Sequence, residues 1–247
     1  MMIVDIHAHM GHHPLQDFKQ EPEDILAVME KYEISRSFIL PFPSMKIKTV
    51  NDSVAAFVKE HPGRLTGFAV IDPAADDALE EVERIASLGL KGVMLDPEFH
   101  GIFRRQEKVE ELMVPCMDNR LPILFNTLNI EVGEGSRMGR EPYYNGLNSL
   151  AFKFPDVRFV VSPFWPRIKD LMRQYPNIFI DSGGRNGISG AVRLASEVGP
   201  TRICFGSESP QNHPALGIKA IRTMKMAPIY RELLLGKNAK RIFRDLF

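Results

Sequence analysis

The chain has 247 residues, 44% of them apolar and 25% charged, and its 31 basic side chains are matched by 31 acidic ones. That composition supports a large core rather than disorder, and the lack of a basic stripe with interleaved aromatics argues against nucleic acid as a partner. No apolar run is long enough to cross a bilayer and no charged-then-apolar leader precedes the first strand pattern, so a cytoplasmic protein with no membrane partner is expected.

In chain order, β-rich runs are predicted at Met2 to Ile6, Ser37 to Pro41, Leu65 to Ile71, Gly92 to Asp96, Pro122 to Asn126, Val157 to Val161, Ile178 to Asp181 and Arg202 to Phe205. Amphipathic stretches separate them, among them Glu23 to Tyr32, Asp76 to Leu88, Glu107 to Asn119 and Ile188 to Val198. Their apolar residues recur at three and four positions, as in Leu79, Val82, Ile85 and Leu88. Pro22 in a first helical turn and Gly89 after a last one are the expected punctuation. A further helical tail is read from Ile229 to Phe247. Strand and helix in alternation predict an α/β protein, a (β/α)8 TIM barrel in one domain over residues 1–247 with an extra C-terminal helix. A doubly wound open sheet is the alternative, and no GxGxxG follows the first strand to support it. The stretch Thr127 to Asn145 reads as a long loop, a candidate lid or subunit contact. Cys116 and Cys204 belong to no CxxC pair and read as buried free thiols.

Four of the seven histidines fall between His7 and His13, directly after the apolar run Met2-Ile3-Val4. Residues two apart in a strand share a face, so His7 and His9 can reach one divalent ion, and Asp5 is expected on that face with them. The plain alternative is a polar strand end leading into a surface loop.

His7-Ala8-His9, the run Pro62 to Pro73 (PGRLTGFAVIDP), Phe205 to Pro210 (FGSESP) and Gly236 to Phe243 (GKNAKRIF) together resemble amidohydrolase family 2. The resemblance implies a metal-dependent hydrolase on a barrel scaffold, with amino-carboxymuconate-semialdehyde decarboxylase and related aromatic acid decarboxylases among the relatives. It also implies a set of site positions, and this chain departs from several. His7 and His9 match. Met94 stands where the wider superfamily often has a metal-bridging lysine, Asn126 where strand five usually ends in histidine, and Ser162 where another histidine is usual after strand six. Glu208 replaces the aspartate of strand eight, which serves the family as ligand and proton acceptor.

On this reading His7, His9 and Glu208 are the candidate ligands for one divalent ion, zinc first, with manganese or iron as other choices. Glu208 and Asp96 are the candidate catalytic carboxylates, with a turn-capping role before Pro97 as the alternative for Asp96. Asn126 can offer a neutral oxygen to a metal or bond a substrate, and Ser162 lacks the GxSxG context of a nucleophile. Trp165 can stack on an aromatic substrate or pack a helix. Arg185, in the glycine-rich turn Asp181 to Gly187, suits an anion or is a solvated side chain. His12, His13 and His213 are carried as mouth residues, each with a surface or capping alternative, while His61 and His100 read as structural. Met224 and Met226 are expected as core filler. The expected partner is a small carboxylate or aromatic substrate, and a homodimer is the candidate assembly. Two functions remain open: C–N or ester hydrolysis or decarboxylation of a small acid, and a metal-poor homologue that binds a small anionic ligand.

Overall fold

The computed structural model describes residues 1–102, 105–126, 137–162, 167–183 and 187–247, with side chains given for all of these but 137–141. Eight parallel strands form the TIM barrel: β1 (Val4–His12), β2 (Arg36–Pro41), β3 in two pieces (Leu65–Gly67 and Ala69–Val70), β4 (Val93–Leu95), β5 (Ile123–Asn126), β6 (Phe159–Ser162), β7 (Ile178–Asp181) and β8 (Ile203–Cys204). The two pieces of β3 meet at Phe68, whose N–H donates to Ile39 O at 2.8 Å and so carries the ladder across the break. The ring closes between first and last strands, where Ile6 N donates to Phe205 O at 3.0 Å and Ala8 pairs with Ser209 in parallel.

A helix follows each strand: α1 (Pro22–Lys31), α2 (Ile47–Glu60), α3 (Ala78–Ser87), α4 (Gln106–Asp118), α5 (Arg137–Lys153), α6 (Ile168–Gln174), α7 (Gly187–Val198) and α8 (Pro214–Thr223). Helix α1 starts as its sequence suggests, with Pro22 in the first turn and Glu21 and Asp24 closing a reciprocal capping box. The stretch read as a long loop is in its second half helix α5, while residues 127–136 lie outside the described ones. The predicted tail helix is present as one continuous run, Pro228–Glu232, a π turn at Leu233–Lys237, and Asn238–Ile242, followed by a short 3-10 turn at Arg244–Leu246. Met224 and Met226 sit in the connection before it, only half-buried rather than in the core.

Strand alternation divides the interior into two bodies. Val4, Ile6, Phe38, Leu40, Phe68, Val70, Met94, Leu124, Val160 and Cys204 fill the barrel lumen, while their neighbours such as Ile39, Ala69, Val93, Phe125 and Val161 face the helices. Ala239, Ile242 and Phe243 enter the lumen cluster from below and plug its floor. Phe243 is 1% exposed and rests edge-on to Phe38, so its burial alone contributes about 2 kcal/mol. Asn238 ties this helix to the sheet by donating to Pro200 O and Ile203 O, both at 2.7 Å. Cys116 and Cys204 are buried free thiols, as expected.

Candidate metal centre

The lumen changes character at the C-terminal ends of the strands. Two residues above Leu124 and Val160, on the same face, stand Asn126 and Ser162, and two above Phe179 stands Asp181. On β1 a register shift between Asp5 and Ala8 re-aims the chain. Ile6 faces the lumen and Ala8 and Met10 face the helices, so the bulge turns His7 and His9 inward. This corrects the expectation that Asp5 shares their face. Asp5 lies before the shift, and its carboxylate accepts from His7 N at 3.1 Å, Ser207 N at 2.9 Å and Ser207 Oγ at 2.6 Å. It latches β1 to the segment after β8, and burial, only partly countered by those bonds, pushes its pKa up to about 6.

His7 and His9 are both fully buried, with their Nε2 atoms 3.0 Å apart. Two imidazole nitrogens at that separation need a shared proton or a shared cation between them. On the other side of the His7 ring, Nδ1 lies 2.5 Å from Asp181 Oδ2. His7, Asp181 and Glu208 each bring a donor atom within 4.8 Å of the others. His9 is fixed by Phe42, whose ring stacks on it at 4.5 Å and 11°, and His13 meets Phe42 edge-on at 5.2 Å. Burial and the neighbouring His7 hold the His9 pKa well below that of an ordinary histidine, which favours the neutral imidazole. For His7 burial acts in the same direction, but the charge and hydrogen bond of Asp181, with Glu208 and Asp5 behind, outweigh it and raise the pKa.

Glu208 reaches the cluster through an unusual backbone. Its φ of +55° lies in the left-handed region, uncommon for a residue with a side chain. Its N–H donates to His7 O at 2.8 Å and His9 N donates to Ser209 O at 2.7 Å, which sets the carboxylate beside the histidines. Glu208 Oε1 accepts from Ser162 Oγ at 2.8 Å. The two residues that replace an aspartate and a histidine in the resemblance thus contact each other, the longer acid reaching toward the shorter alcohol. Next to Ser162 in register, Asn126 is fully buried and, among the described residues, neither its amide oxygen nor its nitrogen has a hydrogen-bond partner.

The other expected residues fall elsewhere. Asp96 is in a turn, where Oδ1 accepts from Glu98 N at 3.1 Å and Phe99 N at 2.8 Å, so its carboxylate is held outside the His7, Asp181 and Glu208 group. Burial raises its pKa to about 6. His213 is exposed and caps α8 by accepting from Ala215 N at 3.2 Å, and His12 is an exposed strand end paired with Lys19; neither joins the cluster. His61 ends helix α2, and His100 is buried beside the turn that Asp96 begins. Trp165 and Arg185 lie outside the described residues. Asp181 was missed as a site residue. Its one sequence signal is an acid closing an apolar strand in Ile178-Phe179-Ile180-Asp181, the placement that also marks Asp96 at the end of β4.

The donor set fits a divalent cation: two imidazole nitrogens facing each other, and two carboxylates whose buried charge a dication would balance. Met94 is packed in the lumen core and contributes no ligand on β4, which fits one ion rather than a bridged pair.

Solved structures share this architecture. The chain is similar to 5-carboxyvanillate decarboxylase LigW from Sphingomonas paucimobilis, at 15% identity and a TM-score of 0.74 over 98% of this chain and 99% of that one. A 2,6-dihydroxybenzoate decarboxylase complexed with 2,6-dihydroxybenzoate matches at 15% and 0.75, covering 99% of each chain. A dihydroxybenzoic acid decarboxylase from Polaromonas sp. JS666, with bound manganese and the inhibitor 2-nitroresorcinol, matches at 14% and 0.72, covering 98% of this chain and 97% of that one. At these identities the likeness is one of fold. No curated protein matches the chain in sequence. The family model described as Amidohydrolase matches residues 4–244, nearly the whole chain, and the protein therefore belongs to the amidohydrolase family.

Proposed function

We propose that the protein is a metal-dependent enzyme that acts on a small carboxylic acid, by decarboxylation or by hydrolysis of a C–N or ester bond, at the C-terminal mouth of the barrel. The observation that carries this reading is the 3.0 Å approach of the His7 and His9 Nε2 atoms beside Asp181 and Glu208. His7, His9 and Glu208 would hold one ion, a two-histidine and one-glutamate set that suits zinc and serves manganese or iron as well. When bound, the ion supplies Lewis-acid polarisation of a substrate carbonyl or carboxylate oxygen.

The protein's own groups do the rest. Both branches need a proton carrier beside the reacting carbon, to activate water in one case and to protonate carbon in the other, and Glu208 is the carboxylate in place for it. Its Oε1 is held by Ser162, and Asn212 Nδ2 lies 3.4 Å from Oε2. Asn126 presents an amide donor and acceptor to the same side of the lumen, where they can orient a carboxyl or hydroxyl group. The relatives that act on hydroxybenzoates make a small aromatic acid the first substrate class to screen.

A second reading, a metal-poor homologue that binds a small anion, is favoured by Asn126 and Ser162 in place of imidazoles. Plasma mass spectrometry on tag-free protein separates the two. About one ion per chain, lost in His7→Ala/His9→Ala, is the result expected for the enzyme. No ion after zinc or manganese supplementation would move the protein to the binding class. A screen of hydroxybenzoates for carbon dioxide release, beside an amide and ester panel, then tells decarboxylation from hydrolysis.

A further inference from the structure

We infer that Asp181 is a positioning residue for the metal centre: it fixes His7 in the tautomer that turns Nε2 toward His9. The inference rests on the metal reading above and deepens it. A carboxylate 2.5 Å from Nδ1 places the ring proton there, as an N–H donated to Asp181 Oδ2, and leaves the Nε2 lone pair facing the His9 Nε2. The other carboxylate oxygen, Oδ1, accepts from Gly183 N, so both oxygens are engaged.

The surrounding backbone is shaped to hold this group, and at Gly183 the neighbouring Glu208 side chain as well, since a Cβ there would also lie 2.7 Å from Glu208 Cγ. A Cβ on Gly206 would lie 2.7 Å from Asp181 Cγ and 2.8 and 2.9 Å from its oxygens, and a Cβ on Gly183 would lie 2.7 Å from Oδ1. Side-chain carbons do not approach so closely, so two glycines on different segments keep open a slot that the carboxylate fills. The strand ladder sets its base, with Asp181 in register with Cys204 and Ser182 N donating to Cys204 O at 2.9 Å. Residues on β7 and after β8 are thus committed to one contact on a fully buried histidine.

The placement has a chemical reason. An imidazole that donates its second nitrogen to a carboxylate is a fixed and more basic ligand. With Asn126 and Ser162 on β5 and β6, His7 and His9 are the imidazoles that face each other among the described residues, and Asp181 strengthens one of them.

The test uses two readouts. In the long-range proton–nitrogen spectrum of the metal-free 15N-labelled protein, His7 is expected to be protonated at Nδ1, with that proton strongly deshielded, and to lose this signature in Asp181→Ala. By calorimetry with manganese(II) and zinc(II), Asp181→Ala is expected to bind about 10–100-fold more weakly than the wild type. Asp181→Asn keeps an acceptor oxygen and the shape of the side chain, and should fall between the two, with near-UV circular dichroism confirming an intact fold. Wild-type His7 protonated at Nε2 and bare at Nδ1, or unchanged affinity in Asp181→Ala, overturns the inference. A wild type that binds neither ion defeats the metal reading instead, and the His7 spectrum still decides whether Asp181 sets its tautomer.

Discussion

The mouth of this barrel has two unlike sides. On β1, β7 and β8 stand His7, His9, Asp181 and Glu208, each tied to a neighbour by short contacts and carried by a bulged strand, a glycine slot and a left-handed residue. On β5 and β6 stand Asn126 and Ser162, above the lumen core to which Met94 of β4 belongs; there the strands are regular and the amide of Asn126 has no hydrogen-bond partner among the described residues. Unusual backbone is concentrated where ligands must converge, and ordinary ladder suffices where the lumen only needs a polar lining. On the function proposed above, the cation would be held on one side and the substrate met on the other.

The largest expected effect breaks the donor side outright. His9→Ala removes one of the two facing nitrogens and should abolish both metal content and turnover, measured by plasma mass spectrometry and substrate assay; activity equal to wild type would end the assignment. Next comes a titration on the other side. Asp96 has a folded pKa of about 6, above the usual 3.8, because burial disfavours its charge. The folded state therefore binds more protons than the unfolded one between those values, and stability falls as pH rises through that window. Asp96→Asn should remove a penalty of at most about 3 kcal/mol above pH 6. Its midpoint of urea unfolding should exceed that of the wild type at pH 8 and lose the advantage near pH 4. An equal difference at both values would show that Asp96 is not the group responsible.

A smaller perturbation attacks the slot. Gly206→Ala forces Asp181 or the strand to shift and should cost about 1–3 kcal/mol by thermal melting, with weakened metal binding in the folded fraction. The smallest effect has the opposite sign. Asn126→Leu replaces a buried amide with no partner among the described residues and should stabilise the ligand-free protein by about 1 kcal/mol while impairing substrate binding. A loss of stability there would mean that the amide serves the fold.

Much of this could be read before any coordinates. The eight strand patterns and the His7-Ala8-His9 spacing are local signals, each contained within a few residues, and the structure keeps them all. Glu208 was legible through its motif. What could not be read depends on register and on distant backbone. The bulge that separates Asp5 from His7 and His9 is set by pairing with β2, not by the alternation of β1 itself. Asp181 becomes part of the centre only because Gly206, after the next strand, leaves room for it. Asp96 looked like an active-site acid for the same reason that Asp181 was overlooked: both close apolar strands, and only their partners tell them apart. The tail helix from Ile229 was legible as one run but its π turn was not, for there Leu234 O accepts from Phe205 N of a distant strand at 2.8 Å.

The floor plug carries a consequence for how the molecule comes into being. Ala239, Ile242 and Phe243 cover the lumen faces of Val4, Ile6 and Phe38, yet they leave the ribosome roughly two hundred residues later. During that interval the nascent barrel has an open, greasy base, and its first strand lacks its β8 neighbour as well. Synthesis must therefore run almost to residue 243 before the inner wall is sealed, and until then the growing chain is a natural client for chaperones that grip exposed apolar surface.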